Sequence, residues 1–480
     1  MSYKFPVPDG WAASDLQDFC TKVADGTHDS PKRTEIGKLL VTSKNIVGGT
    51  LDLSKSYRIS EDDFNEVNRR SKVDVNDVLL SMIGTVGEAC LVENEPDFAI
   101  KNVGLLKNDD PLKARWLYFY LRSPQAQSLI KERLRGTTQQ YLPLGEIRKF
   151  PIIFPQSRVV LQGVVDVLGR LNDKIQLNHQ INQTLEQMAQ AIFKSWFVDF
   201  EPVKAKIAVL NAGGTDEDAL LAAMQVISGK DTDQLTQMQA EQPEQYAELR
   251  AIAELFPSAM QDSELGEIPE GWEVKTVADT AEIVKGKSYK SAELAESKTA
   301  LVTLKSFNRG GGYRLDGLKE YTGKYKPKQE VIAGDLIIAY TDVTQAADVI
   351  GKPAMVIGDS RYDHLVISLD VAVVRPFEDA LKPFLYGLAK TDGFQHHTRS
   401  HTTGTTVLHL AKNAVPDYEF ALPLRALIQA YAKQVNPLFS LIDQNIQQGR
   451  SLQALRDTLL PKLLTGELSI HQVMEETEDE

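Results

Sequence analysis

The stretch "HHTRSHTTGTTVLH" holds the side chains best suited to chemistry, with His396, His397, His401 and His409 inside 14 residues. His397 and His401 are four apart, a spacing that on a helix would turn two imidazoles towards one metal ion. The Thr-Gly-Thr-Thr that follows disfavours a helix, and an earlier counterpart, "RLRGTTQQ", contains no histidine. The stretch therefore reads as a polar loop with donors facing outward, and no metal site is expected. Catalytic signatures are also missing. No GxxxxGK[ST] phosphate loop, no G-x-G-x-x-G after a strand, no GxSxG and no HExxH occurs. The chain has no Pro-Pro, so it lacks the Asn- or Asp-Pro-Pro-aromatic motif of amino-methyl transfer. "PDYEF" (416–420) begins like a nuclease signature but supplies no lysine. No catalytic residue is expected.

What the sequence does offer is a set of cations, amides and hydroxyls of the kinds that contact DNA. Phosphates are met by Lys and Arg; base edges are read by Arg, Asn, Gln, Ser, Thr and sometimes His. In the first third of the chain, Arg133, Arg135, Thr137, Thr138, Gln139 and Gln140 surround a glycine turn. Thr27, His28, Lys32, Arg33, Lys44 and Asn45 form a second group. Further on, Arg399, His401, Thr402, Thr403, Thr405 and Thr406 occupy the matching glycine turn. A basic segment precedes them, with Lys285, Lys287, Lys305, Asn308, Arg309, Tyr313, Arg314, Lys324 and Lys326.

The net charge of −13 seems to oppose such a partner, yet the acidic side chains are localised. Residues 203–267 carry 4 basic and 12 acidic groups, and the final "HQVMEETEDE" carries five carboxylates. Residues 111–150 hold 8 basic against 2 acidic groups, and residues 285–328 hold 11 against 4. Local basic patches can meet phosphate whatever the total charge.

These residues must be held by something, and the chain supplies its frame twice. "VPDGW" (7–11) returns as "IPEGW" (268–272), and "NDVLLSMIGTVGEA" from Asn76 is echoed by "GDLIIAYTDVTQAA" from Gly334. "RGTTQQYLPL" (135–144) answers to "TGTTVLHLAK" (403–412). A period near 260 residues means two copies of a domain, not a solenoid. Each copy alternates short β-branched runs with Gly, Asp and Asn turns, plus a helical stretch such as Lys113–Arg135, which predicts an α+β domain. Trp11 and Trp272 recur beside their turns as expected core anchors.

A long helix follows each copy. The first carries an apolar seam through Leu171, Ile175, Leu185 and Ile192, interrupted at Asn178; the second has Leu438, Ile442, Leu452 and Leu459, interrupted at Asn445. Two matched stripes predict an antiparallel coiled coil, with the asparagines costing stability while fixing register. Pro437 should break the second helix, leaving a regular part near Pro437–Leu460 of roughly 36 Å at 1.5 Å per residue. Glu186, Gln187, Gln190, Lys194 and Asp199 lie off the seam, where a partner protein would meet them.

The expected organisation is a first globular domain over 1–155, a helical region over 156–202, an acidic connector over 203–267, a second globular domain over 268–422, a helical region over 423–466 and an acidic tail over 467–480. The connector is expected to be partly helical, at 218–227 and 244–255. Cys20 and Cys90 form no disulfide framework, no apolar run reaches membrane-spanning length, and the N-terminus has no export signal. A cytoplasmic location follows as an expectation.

Several stretches resemble the specificity subunit of type I restriction-modification systems. They are "INQTLEQMAQAIFKSWFVDFEPVKAK" (181–206), "LFPSAMQDSELGEIPEGWEV" (255–274), "LRDTLLPKLLTGEL" (455–468), "VADGTHDSP" (23–31) and "GTTQQYLPLGEIRKFPIIFP" (136–155). The resemblance covers nearly the whole chain apart from most of the acidic connector and the tail. It implies two target-recognition domains, each reading half of a split, asymmetric site on double-stranded DNA, joined by a coiled coil. It further implies two modification subunits that bind S-adenosylmethionine and methylate adenine, and motor-nuclease subunits driven by ATP and magnesium, together serving phage defence. The chain itself would bind no cofactor and would be non-catalytic. Two other readings stay open at this point: a self-sufficient DNA methyltransferase or nuclease, and a coiled-coil adaptor that does not bind DNA.

Overall fold

The computed structural model describes residues 7–137, 139–343, 347–405, 407–464 and 468. Thr138, Thr406 and most of the expected tail over 467–480 lie outside these residues. The chain divides into two compact units, one formed by residues 1–179 and 446–480, the other by residues 180–445. The fold is α+β: two globular parts of like design, together with two long helices that run antiparallel.

In the first unit, strand Trp11–Asp15 pairs antiparallel with Pro151–Pro155, closing the ends of the globular part on each other. A four-stranded antiparallel sheet has the order Lys22–Asp25, Val103–Lys107, Val78–Ser81, Ala89–Leu91. Beside it, Lys38–Thr42 runs antiparallel to Tyr57–Ile59 and parallel to Phe98–Lys101. The single helical stretch expected at Lys113–Arg135 is two helices, Pro111–Arg122 and Pro124–Glu132. Ser123 between them is extended, its hydroxyl accepts from the Ala126 N–H at 3.1 Å, and Pro124 begins the second helix. A side-chain cap followed by proline is a strong restart signal. Trp116 is wholly buried at the centre of this unit, donating its indole N–H to the Ile153 carbonyl at 3.0 Å, with Trp11 packed on its ring.

The second unit repeats the plan. Glu273–Thr276 pairs with Glu419–Leu422. The main sheet has the order Ala281–Lys285, Val371–Pro376, Leu336–Ala339, Pro353–Met355. Thr299–Val302 runs parallel to His364–Ile367, as its counterpart does in the first unit. Helices Leu381–Lys390 and Asp392–Ser400 replace the earlier pair, and Trp272 is buried.

The stretch expected as a connector forms helices Glu201–Asn211, Asp216–Ser228, Thr232–Glu241 and Pro243–Glu254, then a hairpin of Met260–Ser263 with Gly266–Pro269. Leu220, Ala223, Met224, Leu235, Leu249 and Ala253 give it a small core of its own. Asp216, Glu217 and Asp218 fill the first turn of their helix, where carboxylates oppose the positive end of the helix dipole.

The long helices are Arg158–Phe197 and Arg425–Leu464, each 40 residues and about 60 Å long. In the first unit, Leu161, Val164 and Leu168 share a core with Leu460 and Leu463, and Asn178 donates to the Gln448 side-chain oxygen at 2.8 Å. In the second, Ala189, Phe193 and Trp196 pack with Leu427, Ile428, Tyr431 and Val435. There Asn445 donates to the Asn182 side-chain oxygen at 2.9 Å. Rising numbers on one helix meet falling numbers on the other, so the two are antiparallel within each unit. Ile175 and Leu185 of the seam are buried; Leu171, Ile192, Leu438, Ile442, Leu452 and Leu459 are half-buried.

Pro437 does not break the second helix, contrary to expectation, and the regular span is longer than the 36 Å inferred from that break. Val435 is fully buried, and Leu438 and Phe439 pack on the same core, so tertiary packing holds the backbone through the proline. The lost N–H nonetheless denies the Lys433 carbonyl its intrahelical bond. Pro437→Ala should therefore raise the midpoint of urea unfolding, by the equivalent of about 1–3 kcal/mol; an unchanged or lower midpoint would show the proline to be unstrained.

Candidate nucleic-acid interface

The candidate residues of the first unit are gathered by a chain of backbone contacts. Thr27 bridges to Lys101, and its hydroxyl accepts from the Asp29 N–H at 3.1 Å. His28 is exposed, with Nε2 3.0 Å from Asp25 and Nδ1 2.8 Å from the Asn102 side-chain oxygen. The Asn102 carbonyl accepts from the Ser43 hydroxyl at 3.0 Å, and that hydroxyl accepts from the Met82 N–H. Next to Met82, Ile83 bridges to Tyr141, which pairs with Arg135. Loops near 27, 44, 83, 102 and 135–141 are therefore contiguous. Lys44, Thr137, Gln139 and Gln140 are exposed along them. Lys32 and Arg33 are exposed, with Arg33 over the Tyr57 ring at 4.8 Å.

Three candidates have prior commitments. Asn45 is 1% exposed; its oxygen accepts from the Thr42 N–H at 2.8 Å, and its amide donates to the Asp52 carbonyl and the Ser56 hydroxyl. With its donors and acceptor used, it shapes the Ser43–Asn45 turn and is not available to a base. Arg133 donates to the Leu129 carbonyl at 3.1 Å and lies over the Phe150 ring. Arg135 is exposed and pairs with Glu146 at 3.0 Å.

The hairpin of the second unit has the same register. Arg135↔Tyr141 and Ile83↔Tyr141 in the first unit correspond to Thr403↔His409 and Thr341↔His409 in the second. Both turns need glycine at a positive φ: Gly136 at +87° and Gly404 at +109°. A Cβ would lie 2.4 Å from the Gln139 carbonyl oxygen in one and 2.1 Å from that of Val407 in the other. One frame thus presents two different sets of side chains. Arg399, His401, Thr403 and Thr405 are exposed around the second turn, and Thr402 is half-buried. His396, His397 and the approach to His401 are helical, not a loop: Asp392–Ser400 is a helix capped by Thr391, whose hydroxyl accepts from the Phe394 N–H. The glycine turn starts only after that helix has ended.

The basic segment divides between places. Lys285 extends over the Tyr340 ring at 4.5 Å; burial, and then the charge of Lys412, hold its ammonium below the usual lysine range. Lys287 is half-buried and bridges to Ser368. Asn308, Arg309 and Tyr313 lie on a loop fastened to Asp348 and Pro353, where Arg309 approaches Asp348 at 3.9 Å. Burial raises the Tyr313 phenol, whose hydroxyl is enclosed and so does not face a groove. Arg314 forms an ion pair with Asp316. Lys305, Lys324 and Lys326 are exposed. Off the helix seam, Glu186 accepts from the Tyr386 hydroxyl at 2.9 Å and pairs with Lys390, Gln190 donates to Glu186, and Lys194 pairs with Asp199. These side chains are engaged inside their own unit.

Lys412, Lys352, Lys101 and Asn102 lie beside the candidate residues Lys285, Arg399, Thr27 and His28 without having been singled out by sequence. Burial, followed by the charge of Arg399, lowers Lys352 below the usual lysine range. Asn102 adopts a left-handed φ of +54° at the junction of the first unit's loops. The internal repeat carried a signal for Lys412, the last residue of the second GTT-containing block. Among the described residues no group of three or more potential ligands could hold a metal ion, and no helix is long and apolar enough to cross a membrane.

Lys285→Ala with Lys412→Ala should weaken duplex binding for all sequences alike and reduce the slope of log K against log salt by about 2, roughly 0.9 for each phosphate no longer neutralised. An unchanged slope would place both lysines away from phosphate. Asn45→Ala should lower the unfolding free energy by about 1–3 kcal/mol without altering any preferred sequence, as thermal melts and binding selection would report.

A profile of the type I restriction modification DNA specificity domain matches residues 8–187. The specificity subunit of the type I restriction enzyme HindI from Haemophilus influenzae is 30% identical over 350 residues, covering 71% of this chain and 73% of that protein. The MjaIX specificity subunit of Methanocaldococcus jannaschii is 22% identical over 375 residues, covering 76% of this chain and 71% of that one. Among solved structures, the S subunit of a type I restriction-modification system from M. genitalium aligns with a TM-score of 0.47 at 15% identity, over 96% of this chain and 99% of that one.

Proposed function

Because the chain belongs to the specificity subunits of type I restriction-modification systems, we propose that it recognises a split, asymmetric sequence on double-stranded DNA, each globular unit reading one half-site. The observation that carries this reading is the hairpin built twice in one register, around Tyr141 and around His409, with different polar side chains on the same frame. Two copies of one reading device with different side chains suit two different short sequences better than one symmetric site. Phosphate contacts by Lys44, Lys285, Lys412 and neighbouring cations would hold the duplex. Base edges would fall to the threonines, glutamines, Arg135, Arg399 and His401.

The long helices supply the second part of the proposal: they set the interval between half-sites and dock two methyltransferase subunits and the motor-nuclease subunits. Chemistry would reside in those partners, which use S-adenosylmethionine, ATP and magnesium. This chain would bind no cofactor and act without catalytic residues.

Replacing residues 1–155 by the corresponding domain of another specificity subunit should change one half of the methylated sequence and leave the other intact. Mapping of methylated adenines in cells that express the hybrid with its modification partner would check this; an unaltered pattern would remove recognition from that unit. Deleting seven residues from each long helix shortens it by about 10 Å, which should contract the interval by roughly three base pairs while both half-sites persist.

A further inference from the structure

We propose that His401 is a specificity-determining residue that reads one base of its half-site as a hydrogen-bond acceptor, through Nε2; this rests on the recognition function proposed above. The imidazole is held in one pose and one tautomer. Its Nδ1 lies 2.8 Å from the His397 carbonyl oxygen, and its backbone N–H donates to the same oxygen at 3.2 Å. A carbonyl oxygen cannot donate, and the Ser400 hydroxyl, 3.2 Å from Nδ1, donates to that same carbonyl, so Nδ1 carries a proton; in the neutral tautomer this leaves the lone pair on Nε2. The ring stacks on that of His397, with centroids 4.2 Å apart and planes inclined by 26°.

His397 is anchored in its turn. Its Nε2–H donates to the Ala414 carbonyl at 2.9 Å, and burial, then the neighbouring His401, holds it below the usual histidine range. The backbone of His401 is equally fixed. Its carbonyl accepts from the Ala411 N–H at 2.9 Å, and the Thr402↔Leu410 and Thr403↔His409 pairs follow directly. The exposed side chain therefore stands at the root of the Thr-Gly-Thr turn, with Nδ1 turned back to the end of the preceding helix.

The first unit offers a contrast at the same register. Arg133 lies 268 residues earlier and donates to the Leu129 carbonyl, as His401 donates to that of His397. A guanidinium has five N–H donors and no acceptor. In the major groove the only donors are the adenine N6 and cytosine N4 amines, so an acceptor at this position favours A or C over G or T on the contacted strand.

The full-length chain and its H401A, H401Q and H401R variants would each select duplexes from a randomised pool, and the bound DNA would be sequenced. The unsubstituted chain should show one position favouring A or C. H401A should flatten that position by about two- to tenfold, the worth of one net hydrogen bond, while the remaining positions hold. H401Q, which keeps an acceptor, should retain the preference, and H401R should move it to G. If H401A loses all selection, H401Q and H401R decide between reading and folding; loss of all selection in all three overturns the proposal. Profiles unchanged in H401A and H401R, or a preference for G or T at the position that H401A flattens, also overturn it. If the unsubstituted chain selects no sequence, the recognition reading itself fails, and this inference with it.

Discussion

Each long helix carries an apolar stripe that no partner within the same helix can cover, and covering it organises everything else. In the first unit, Leu161, Val164 and Leu168 join Trp116, Phe150, Leu460 and Leu463 in one core. In the second, Phe193, Trp196 and Phe197 meet Phe384, Tyr431 and Val435. Burying each such side chain stabilises by about 1.5–3 kcal/mol, far more than any exposed ion pair on the same helices. The helices are thus parts of the globular cores as well as partners of each other. Asn178, Asn182 and Asn445 interrupt the stripe with directional bonds that only a narrow range of registers satisfies.

One hairpin frame carries different side chains in the two units. The hairpins at Gly136 and Gly404 are closed by the same pairs and need glycine for the same steric reason. Side chains on such a frame can differ without disturbing it, as Arg133 and His401 do. Asn45 shows the opposite case: an amide of a base-reading type wholly occupied in shaping its turn.

Charge is arranged by segment. Carboxylates of the helical group over 203–267 decorate a small core of leucine, alanine and methionine, while residues 111–150 and 285–328 hold an excess of cations. At physiological salt, screening acts over about 8 Å, so the field beside Lys285 and Lys412 is set by nearby charges and not by a total of −13.

The repeat, the α+β character and the helical stripes were legible because hydrophobic periodicity and turn residues act locally. Trp11 and Trp272 could be assigned to cores for the same reason. The helical group over 203–267 was only partly legible, since its few apolar residues lie among many acids and acquire a common core only on packing. Pro437 misled because a local rule yielded to burial of Val435 and its neighbours. Contact between loops 27, 44, 83, 102 and 135–141 depends on strands distant in the chain, and the fixed tautomer of His401 depends on the carbonyl four residues earlier at a helix end. The order of side chains determined which elements form and which groups are available to bind. Only long-range packing decided which of those groups are already engaged and which face outward, because hydrogen-bond partners and burial are properties of neighbours in space.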